Sequence, residues 1–422
     1  MRNESFSHWR SGIGRVGIAT TAVVLFFGLS ACQAAQPSST TKGPISVGSI
    51  DDVSGGLSSI GQPKADAAKL AIKDINSNGG VLGRQLKLVA YDAQSDNTKY
   101  IQYANQLAQQ DHVAVVEAGI TSAAREAIRP ILDSAQIPYF YSQLYEGGVC
   151  DANVFATGMV PSQQLAPMIP YATKHYGKTF TILAADYNFG HSEAVWAAKY
   201  IKQNGGTVVK TEFLSLDQTD FGSSINNLQR DKPSVVVSLL VGGNQMSFYK
   251  QFAAAGLSGT SHIISPTFGD GQEQLAIGAK ATEGIVVANL YLQERTAAAN
   301  SAFLKQWYAA YGKSYPYVTP SAVAVWNSWH LWAAGVNKAG SLDRAKVLAA
   351  LQSGISYDGP GGKVTINGAS HHVVQNVVVA EGTAEGNFRV LEVDNQVAPA
   401  FEESKCNLIK SPTTNTQYIP SN

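Results

Sequence analysis

The sequence predicts an α/β protein of two lobes, each with a parallel sheet covered by helices. Two observations predict this fold class. Residues 44–142 and 162–290 each alternate short apolar strands with amphipathic helices. Residues 297–352 are mostly helical and lack strands of their own, so we expect them to return and cover an existing sheet. The chain then crosses between the lobes three times, which makes a hinge with a cleft beside it.

The first series begins with a β-rich run, "PISVGSI" (44–50). The apolar spacing and final Gly pair of "QPKADAAKLAIKDINSNGG" (62–80) predict a helix. The continuous run "VAVVEAG" is typical of a strand buried on both faces. The remaining segments, in chain order, are a strand, a helix, a helix and a strand: "RQLKLVAYDA", "TKYIQYANQLAQQD", "SAAREAIRPILDSA" and "IPYFYS".

The second series reads helix, strand, helix, strand, helix, strand, helix. Its segments are "APMIPYATKHYG", "FTILAAD", "SEAVWAAKYIKQNGG", "TVVKTEFL", "FGSSINNLQRDKP", "SVVVSLL" and "QMSFYKQFAAAGL". After the helical stretch, the end of the chain shows short alternating strands and turns. We therefore predict an N-terminal lobe from residues 44–160 and 290–360, a C-terminal lobe from 161–289 and 361–405, and a tail at 406–422.

The first 31 residues predict a lipoprotein signal peptide. Basic residues precede an apolar run, Val16 to Leu29, of about 14 residues, which is too short to span about 30 Å of hydrocarbon. Leu29-Ser30-Ala31-Cys32 resembles a bacterial lipoprotein cleavage box, in which Cys32 bears the lipid. Residues 32–43 then form a lipidated tether. The alternatives are an ordinary cleavage site or an uncleaved anchor.

The composition indicates a folded protein without the excess positive charge typical of nucleic-acid-binding proteins. Apolar residues make up 45% and charged residues 15% of the chain, and the formal net charge is zero. About 390 residues remain after cleavage, which favours two domains over one. No catalytic or metal-binding motif is present, and the His371-His372 pair has no second ligand pair at metal spacing. We expect no enzyme activity, cofactor or metal.

Two further cysteines, Cys150 and Cys406, lie in Gly-, Asp-, Asn- and Lys-rich loop sequence. In an exported protein they can pair as a disulfide. The alternative is two separate buried thiols.

Several passages carry a resemblance to a known family. "GSIDDVSGGLSSIGQPKADAAKLAIKDINSNGGVLGRQLKLVAYDAQSD" is similar to the opening of type I periplasmic binding proteins of the branched-chain amino acid receptor family. "ITSAAREAIRPILD", "YSQLYEGG", "AADYNFG" and "TDFGSSINNLQRDKPSVVVSLLVGGN" most resemble its urea and short-chain amide binders. The resemblance covers roughly residues 45–395. It implies two Rossmann-like lobes joined by three strands, with a ligand held between them.

The resemblance also implies ligand contacts in the first lobe after its third and fourth strands, at Thr121, Ser122, Tyr141, Gln143 and Tyr145. Ser122 starts a predicted helix, whose free N–H groups suit a carboxylate or carbonyl oxygen. The alternative is that Ser122 only caps the helix.

In the second lobe the family's contacts map to Tyr187 and Phe189, whose rings suit a small planar ligand or loop packing, and to Gly243 and Asn244. Urea-type relatives carry an acidic residue where this chain has Gly243, a departure that weighs against urea. Asp270 either faces the cleft, which favours an amino acid, or caps the following "QEQLAIG" helix.

The expected function is that of an extracytoplasmic, lipid-anchored receptor in the periplasm or on the outer face of the membrane. It would capture a short-chain amide, urea or amino acid and deliver it to the permease and ATPase subunits of an ABC importer. One alternative is a sensor of amides or amino acids, and another is a secreted α/β hydrolase.

Overall fold

A computed structural model describes residues 43–420 of the chain. The predicted signal peptide, the lipid-bearing Cys32 and most of the tether therefore lie outside the described residues. Within the described part, no helix is both long and apolar enough to cross a bilayer. The predicted fold class is confirmed, since two sheets with parallel strands are covered by helices.

The first lobe is built on five parallel strands in the order β2-β1-β3-β4-β6. These strands are β1 (Ile45–Asp51), β2 (Leu86–Asp92), β3 (Val116–Ala118), β4 (Tyr139–Tyr141) and β6 (Val154–Ala156), while β5 (Val149–Asp151) lies apart. Its first helices are α1 (Ser58–Ser77), α2 (Asn97–Gln109) and α3 (Ser122–Ser134). Strands β5 and β6 were not predicted, because neither three-residue strand lies in a longer β-rich run like those that marked β3 and β4.

The second lobe holds a nine-stranded sheet whose central part, β11-β10-β9-β7-β8, is parallel. These strands are β7 (Thr179–Ala185), β8 (Thr207–Leu214), β9 (Val235–Leu239), β10 (His262–Ile264) and β11 (Val286–Asn289). The helices are α4 (Pro161–His175), α5 (Asn188–Gln203), α6 (Gly222–Asp231), α7 (Gly243–Ala254), α8 (Glu273–Ala276) and α9 (Ala279–Thr282), with a 3-10 turn at Leu257–Gly259. All of β9 is buried, as its continuous apolar run predicts.

The third, helical stretch returns to the first lobe. It forms α10 (Ala298–Tyr311), α11 (Pro320–Ala339) and α12 (Arg344–Gln352), and α11 packs along α1. Antiparallel strands then extend the second sheet: β12 (Ser356–Gly359), β13 (Gly362–Ile366), β14 (Val373–Gly382) and β15 (Phe388–Val397). The predicted boundary at residue 360 falls inside the β12–β13 hairpin, whose pairing places both strands in the second sheet.

The C-terminal segment forms α13 (Ala400–Lys405) and β16 (Asn415–Gln417). Strand β16 pairs antiparallel with β5 of the first lobe, so the chain makes a fourth passage between the lobes. Cys150 and Cys406 are joined by a disulfide bond across 256 residues of sequence. The tail is thus attached to the first lobe by a strand pair and by a covalent bond.

Glycines let one helix in each lobe pass close to the strand that precedes it. A Cβ at Gly61 of α1 would lie 2.1 Å from the carbonyl oxygen of Asp52, which follows β1. A Cβ at Gly190 of α5 would lie 1.9 Å from the carbonyl oxygen of Ala185, which ends β7. No other residue fits these distances, so the glycines set how the helices start beside the cleft.

Candidate functional site

The candidate site lies where the carboxyl ends of the two parallel sheets face each other. This edge is where open α/β sheets bind ligands, because loops and helix N-termini converge there. The cavity is lined by Ile120, Ser122, Gln143 and Leu144 of the first lobe and Tyr187, Phe189, Val241 and Thr267 of the second. Its volume is about 20 Å³, room for roughly one water. The lobes must separate before an amino acid or amide can enter.

Four of the ten residues predicted to bind ligand line this cavity: Ser122, Gln143, Tyr187 and Phe189. Each follows the carboxyl end of β3, β4 or β7 in the sequence. The prediction missed Ile120, Leu144, Val241 and Thr267, although they follow strand ends in the same way. An apolar residue after a buried strand resembles another core residue, so the sequence carries little signal for Ile120, Leu144 and Val241.

The N-terminus of α3 presents backbone donors beside the cavity. Thr121 is its N-cap, and its hydroxyl oxygen accepts a hydrogen bond from the Ala124 amide at 3.0 Å. Within the described residues this leaves the amides of Ser122 and Ala123 as the free donors of the first turn. Thr121 therefore caps the helix and does not line the cavity, and its ligand contact stays a prediction.

The Ser122 hydroxyl is already committed to a buried ionic cluster. It donates to Glu146 Oε2 at 2.5 Å and accepts from Arg125 Nη1 at 3.1 Å. Arg125 also donates to Glu146 Oε1 at 2.8 Å, and both charged side chains are almost completely buried. Burial alone would lower the pKa of the Arg125 guanidinium group. The negative charge of Glu146 outweighs burial and keeps the Arg125 pKa well above its usual value. A ligand therefore meets the Ser122 backbone amide before it meets a free hydroxyl.

Tyr141 and Tyr145 do not line the cavity, and their ligand contacts stay predictions. Both are fully buried. The Tyr141 hydroxyl donates to the Ile120 carbonyl oxygen at 2.7 Å, and Arg125 lies 5.0 and 4.5 Å from the two ring centroids. The Tyr145 hydroxyl is hydrogen-bonded to His372 Nε2. His372 Nδ1 lies 2.8 Å from the Ser370 carbonyl oxygen, so Nδ1 carries the proton and Nε2 accepts.

Asp270 connects the two lobes. One carboxylate oxygen accepts from Gln143 Nε2, and the other accepts from the Ser321 amide at 3.0 Å in the first turn of α11. Asp270 thus lies in the cleft between the lobes, although it does not line the cavity, and the N-cap of the helix that follows it is Gln272 instead. Of the two positions that the sequence left open, the structure favours the cleft. Burial raises its pKa, although both hydrogen bonds oppose the shift. The Oε1 atom of Gln143 is buried with no partner among the described residues.

Gly243 and Asn244 do not line the cavity, and their ligand contacts stay predictions. Gly243 is exposed at the first position of α7, with nothing near its missing Cβ. Asn244 is buried, but its amide group holds the loops together. Its Oδ1 accepts from the Val241 amide, and its Nδ2 donates to the Ser215 carbonyl oxygen, both at 3.0 Å. The neighbouring Val241 faces the cavity instead.

A second buried ionic cluster lies at the carboxyl edge of the first sheet. Lys64 of α1 donates to the Gly119 carbonyl oxygen at 2.6 Å and lies 3.4 Å from Asp51 and 3.6 Å from Glu117. Burial opposes its charge, but these carboxylates keep its pKa above the usual value. Burial raises the pKa of Glu117 to about 7. The sequence offered no sign of this cluster, because its members are far apart along the chain.

Contacts from α5 also reach the first lobe. Trp196 Nε1 donates to the Glu146 carbonyl oxygen at 3.0 Å. Glu193, one turn earlier, is fully buried, and neither carboxylate oxygen has a partner among the described residues. Burial raises its pKa well above the usual value, and the charges of Glu146 and Glu402 add to the shift.

The family model described as "Periplasmic binding protein" matches residues 44–387. The chain belongs to this family. The matched range includes both lobes and every cavity residue. No group of three or more His, Cys, Asp or Glu side chains suited to a metal occurs within residues 43–420.

Curated and solved relatives of this periplasmic binding protein agree with its fold. The leucine-, isoleucine-, valine-, threonine- and alanine-binding protein of Pseudomonas aeruginosa is 26% identical over 326 residues, 74% of this chain and 83% of that protein. A solute-binding protein of an ABC transporter from Rhodopseudomonas palustris, solved with 3,4-dihydroxybenzoic acid, superposes with a TM-score of 0.75 at 23% identity, covering 85% of this chain and 99% of that one. The branched-chain amino acid transporter substrate-binding protein of Streptococcus pneumoniae, solved with isoleucine, gives 0.72 at 20% identity, covering 83% and 99%.

Proposed function

We propose that the protein is an extracytoplasmic solute-binding lipoprotein of an ABC importer. It captures a small ligand between its lobes and delivers it to the permease and ATPase subunits. The observation that carries the proposal is the cavity at the facing carboxyl edges of the two sheets, with four wall residues from each lobe. A ligand that contacts both walls favours the closed form and excludes water.

The cavity chemistry favours an amino acid with a small apolar side chain. The free amides at the start of α3 suit a carboxylate, and the unpartnered Gln143 Oε1 suits an N–H donor. Ile120, Leu144, Phe189 and Val241 supply apolar walls. The amino-acid specificity in the name of the Pseudomonas protein supports this class. A short-chain amide offers the same donor and acceptor groups but lacks the charge, so it is the second candidate.

Two other ligand classes belong in the test. The case for urea as the ligand is weakened by the absence of an acidic residue at position 243. The relatives described above were also solved with, or named for, amino acids and a hydroxylated benzoic acid rather than urea. Aromatic carboxylates are included in the test because the Rhodopseudomonas protein was solved with 3,4-dihydroxybenzoic acid. The resemblance to urea and amide binders remains a prediction.

A thermal-shift screen of purified residues 34–422 tests the function. The panel contains aliphatic amino acids, short-chain amides, urea and benzoates. A ligand at a hundred times its dissociation constant stabilises the folded state by about 2.7 kcal/mol, so the binder raises the melting temperature. If no compound of any class raises it, the proposed function is wrong. Ammonia released from the amides would instead favour the hydrolase.

The lipid anchor has its own test. Cys32→Ser removes the thiol that would carry the lipid, so the protein should move from the membrane fraction to the soluble extracytoplasmic fraction. Cys32 is the only cysteine in residues 1–149, so no neighbouring thiol can replace it. Continued membrane retention would rule out this anchor, and recovery of the parent protein from the cytoplasm would favour the sensor.

A further inference from the structure

A second cavity lies at the opposite edge of the first-lobe sheet from the candidate site. Val113 and Pro138, which precede β3 and β4, line its floor, and Trp332 and Val336 of α11 line a wall. Its volume is about 240 Å³, enough for a small organic molecule though below the usual range for drug-sized ligands. It shares no lining residue with the inter-lobe cavity.

The lining combines apolar walls with one cation. Apart from Gln136 and Arg344, every lining residue is apolar. Arg344 begins α12, and its Nε donates to Asn153 Oδ1 at 3.0 Å, which holds the guanidinium group in place. In the described part of the chain, neither of its Nη atoms has an acceptor and no carboxylate forms an ion pair with it.

The nearest carboxylate in the sequence is already engaged. Asp343 accepts from the Lys346 amide at 3.1 Å as the N-cap of α12. The positive charge of Arg344 therefore stays uncompensated at the edge of an apolar cavity. A guanidinium group with two free Nη atoms matches a carboxylate, which it binds through two parallel hydrogen bonds.

We infer that this cavity binds a small monocarboxylate with an apolar body. The carboxylate pairs with Arg344, and the apolar body contacts the ring of Trp332 and the aliphatic wall. This inference does not depend on the proposed transport function, because the two cavities are separate.

Calorimetric titration with benzoate and with hexanoate tests the second site. The titrations use the parent protein, Tyr187→Ala to weaken the inter-lobe cavity, and Arg344→Gln to remove the guanidinium charge. Lys346→Gln is the matched control, because it removes a positive charge from an exposed position of the same helix that does not line the cavity. Ala135→Leu fills the mouth from an exposed lining position, and Ala309→Leu, on the exposed face of α10, is its control.

We expect at least one of the two acids to bind Tyr187→Ala and Lys346→Gln as it binds the parent. Arg344→Gln should weaken that binding at least about tenfold, the effect of losing a hydrogen bond to a charged group, and Ala135→Leu should abolish it. Binding that is lost in Tyr187→Ala but unchanged in Arg344→Gln and Ala135→Leu would assign the acid to the inter-lobe cavity and overturn the inference. Failure of both acids to bind the parent would also overturn it. If Arg344→Gln does not fold, the comparison of acid binding by Ala135→Leu and by its control Ala309→Leu tests the inference.

Discussion

Ser122 and Tyr187 face the same cavity from opposite lobes, but their side chains are available to a ligand in different degrees. The Ser122 hydroxyl donates to Glu146 and accepts from Arg125. The Tyr187 ring lies against Phe189 with centroids 5.9 Å apart, and it is only partly buried. Sequence alone suggested that both side chains grip the ligand. The structure leaves the Tyr187 ring and the Ser122 amide as the accessible groups.

Tyr187→Ala should therefore weaken ligand binding more than Ser122→Ala. Loss of the ring removes packing worth about 1–3 kcal/mol, or roughly five- to 150-fold in affinity. Tyr187→Phe keeps the ring and should bind within a few-fold of the parent. Ser122→Ala keeps the backbone amide, so its loss should be smaller. Calorimetry with the ligand from the screen measures all three, and parent-like binding by Tyr187→Ala would mean that the cleft has been wrongly placed.

Glu402 makes stability depend on pH. Its side chain is buried, one oxygen accepts from the Gly148 amide at 2.9 Å, and the other has no partner in the described residues. Burial raises its pKa from 4.5 to about 7. A carboxyl with a raised folded-state pKa stabilises the fold fully below its unfolded pKa. That contribution is lost as the pH rises through about 7.

Glu402→Gln should remove the loss of stability that ionisation of Glu402 causes at high pH. We expect the variant to exceed the parent in free energy of unfolding by about 3 kcal/mol at pH 8, from 1.36 kcal/mol per pKa unit, and by little at pH 4. Denaturant unfolding at both pH values measures the difference. Glu403→Gln is the matched control, because the neighbouring side chain is exposed and its charge is the smallest cause of the Glu402 shift, so it should change the pH 8 value much less. Equal effects of the two substitutions at pH 8 would contradict the assignment.

At the scale of elements, two helix N-termini and the middle of a third helix lie at the cleft. The first turn of α3 supplies donors to the cavity, and the first turn of α11 binds Asp270 of the second lobe through the Ser321 amide. Trp196 of α5 reaches back to Glu146. Helix N-termini suit this position because their first amides have no partner within the helix. Closing the lobes pairs some of these donors with groups of the opposite lobe.

Asp270→Ala should shift the free protein toward an open form. The change removes the contacts with Gln143 and Ser321, and a hydrogen bond to a charged group contributes about 1.5–3 kcal/mol. Small-angle X-ray scattering without added ligand should give a larger radius of gyration than for the parent. Gln143→Ala, which removes one contact and leaves the Ser321 pairing, should lie between the two. An unchanged radius for Asp270→Ala would show that other contacts hold the lobes together.

For the whole molecule, the C-terminal segment is the least expected connection. It leaves the second sheet after β15 and returns to the first lobe through β16 and the bond between Cys406 and Cys150. These contacts add a fourth passage to the three predicted from the alternation pattern. They attach the tail close to Glu146, because Gln417 Nε2 donates to Glu146 Oε1 at 2.7 Å. The tail therefore supports the cluster that also holds Ser122.

Loss of the disulfide should destabilise the protein without changing its fold. The double variant Cys150→Ser/Cys406→Ser should lose about 2–4 kcal/mol of unfolding free energy, because the closed loop of 256 residues no longer constrains the unfolded chain. Denaturant unfolding under non-reducing conditions measures the loss. Thiol titration of denatured, unreduced residues 34–422 should find no free thiol. Two labelled thiols, or an unchanged midpoint in the double variant, would contradict the pairing.

The sequence by itself determined the fold class, because strand and helix periodicities are local and recur along both series. The buried run of β9 and the helical spacing of α11 are readable in any short window. Local sequence also located the loops that follow strand ends, and the resemblance to the family pointed to Ser122, Gln143, Tyr187 and Phe189 within them. It did not reveal the three-residue strands β5 and β6, because no longer β-rich run surrounds them as one surrounds β3 and β4.

Only the tertiary structure decided which of those loop residues meet in the cavity. Asp270 pairs with Gln143, 127 residues away, and Lys64 pairs with Glu117, 53 residues away. Such contacts depend on how whole lobes pack, which no local pattern records. The same holds for the positions of Gly243, Asn244, Tyr141 and Tyr145 outside the cavity lining, since the resemblance alone had placed them at the ligand. Their positions depend on loop hydrogen bonds and on a buried cation, since a side chain after a strand end can turn into the cleft or into the core.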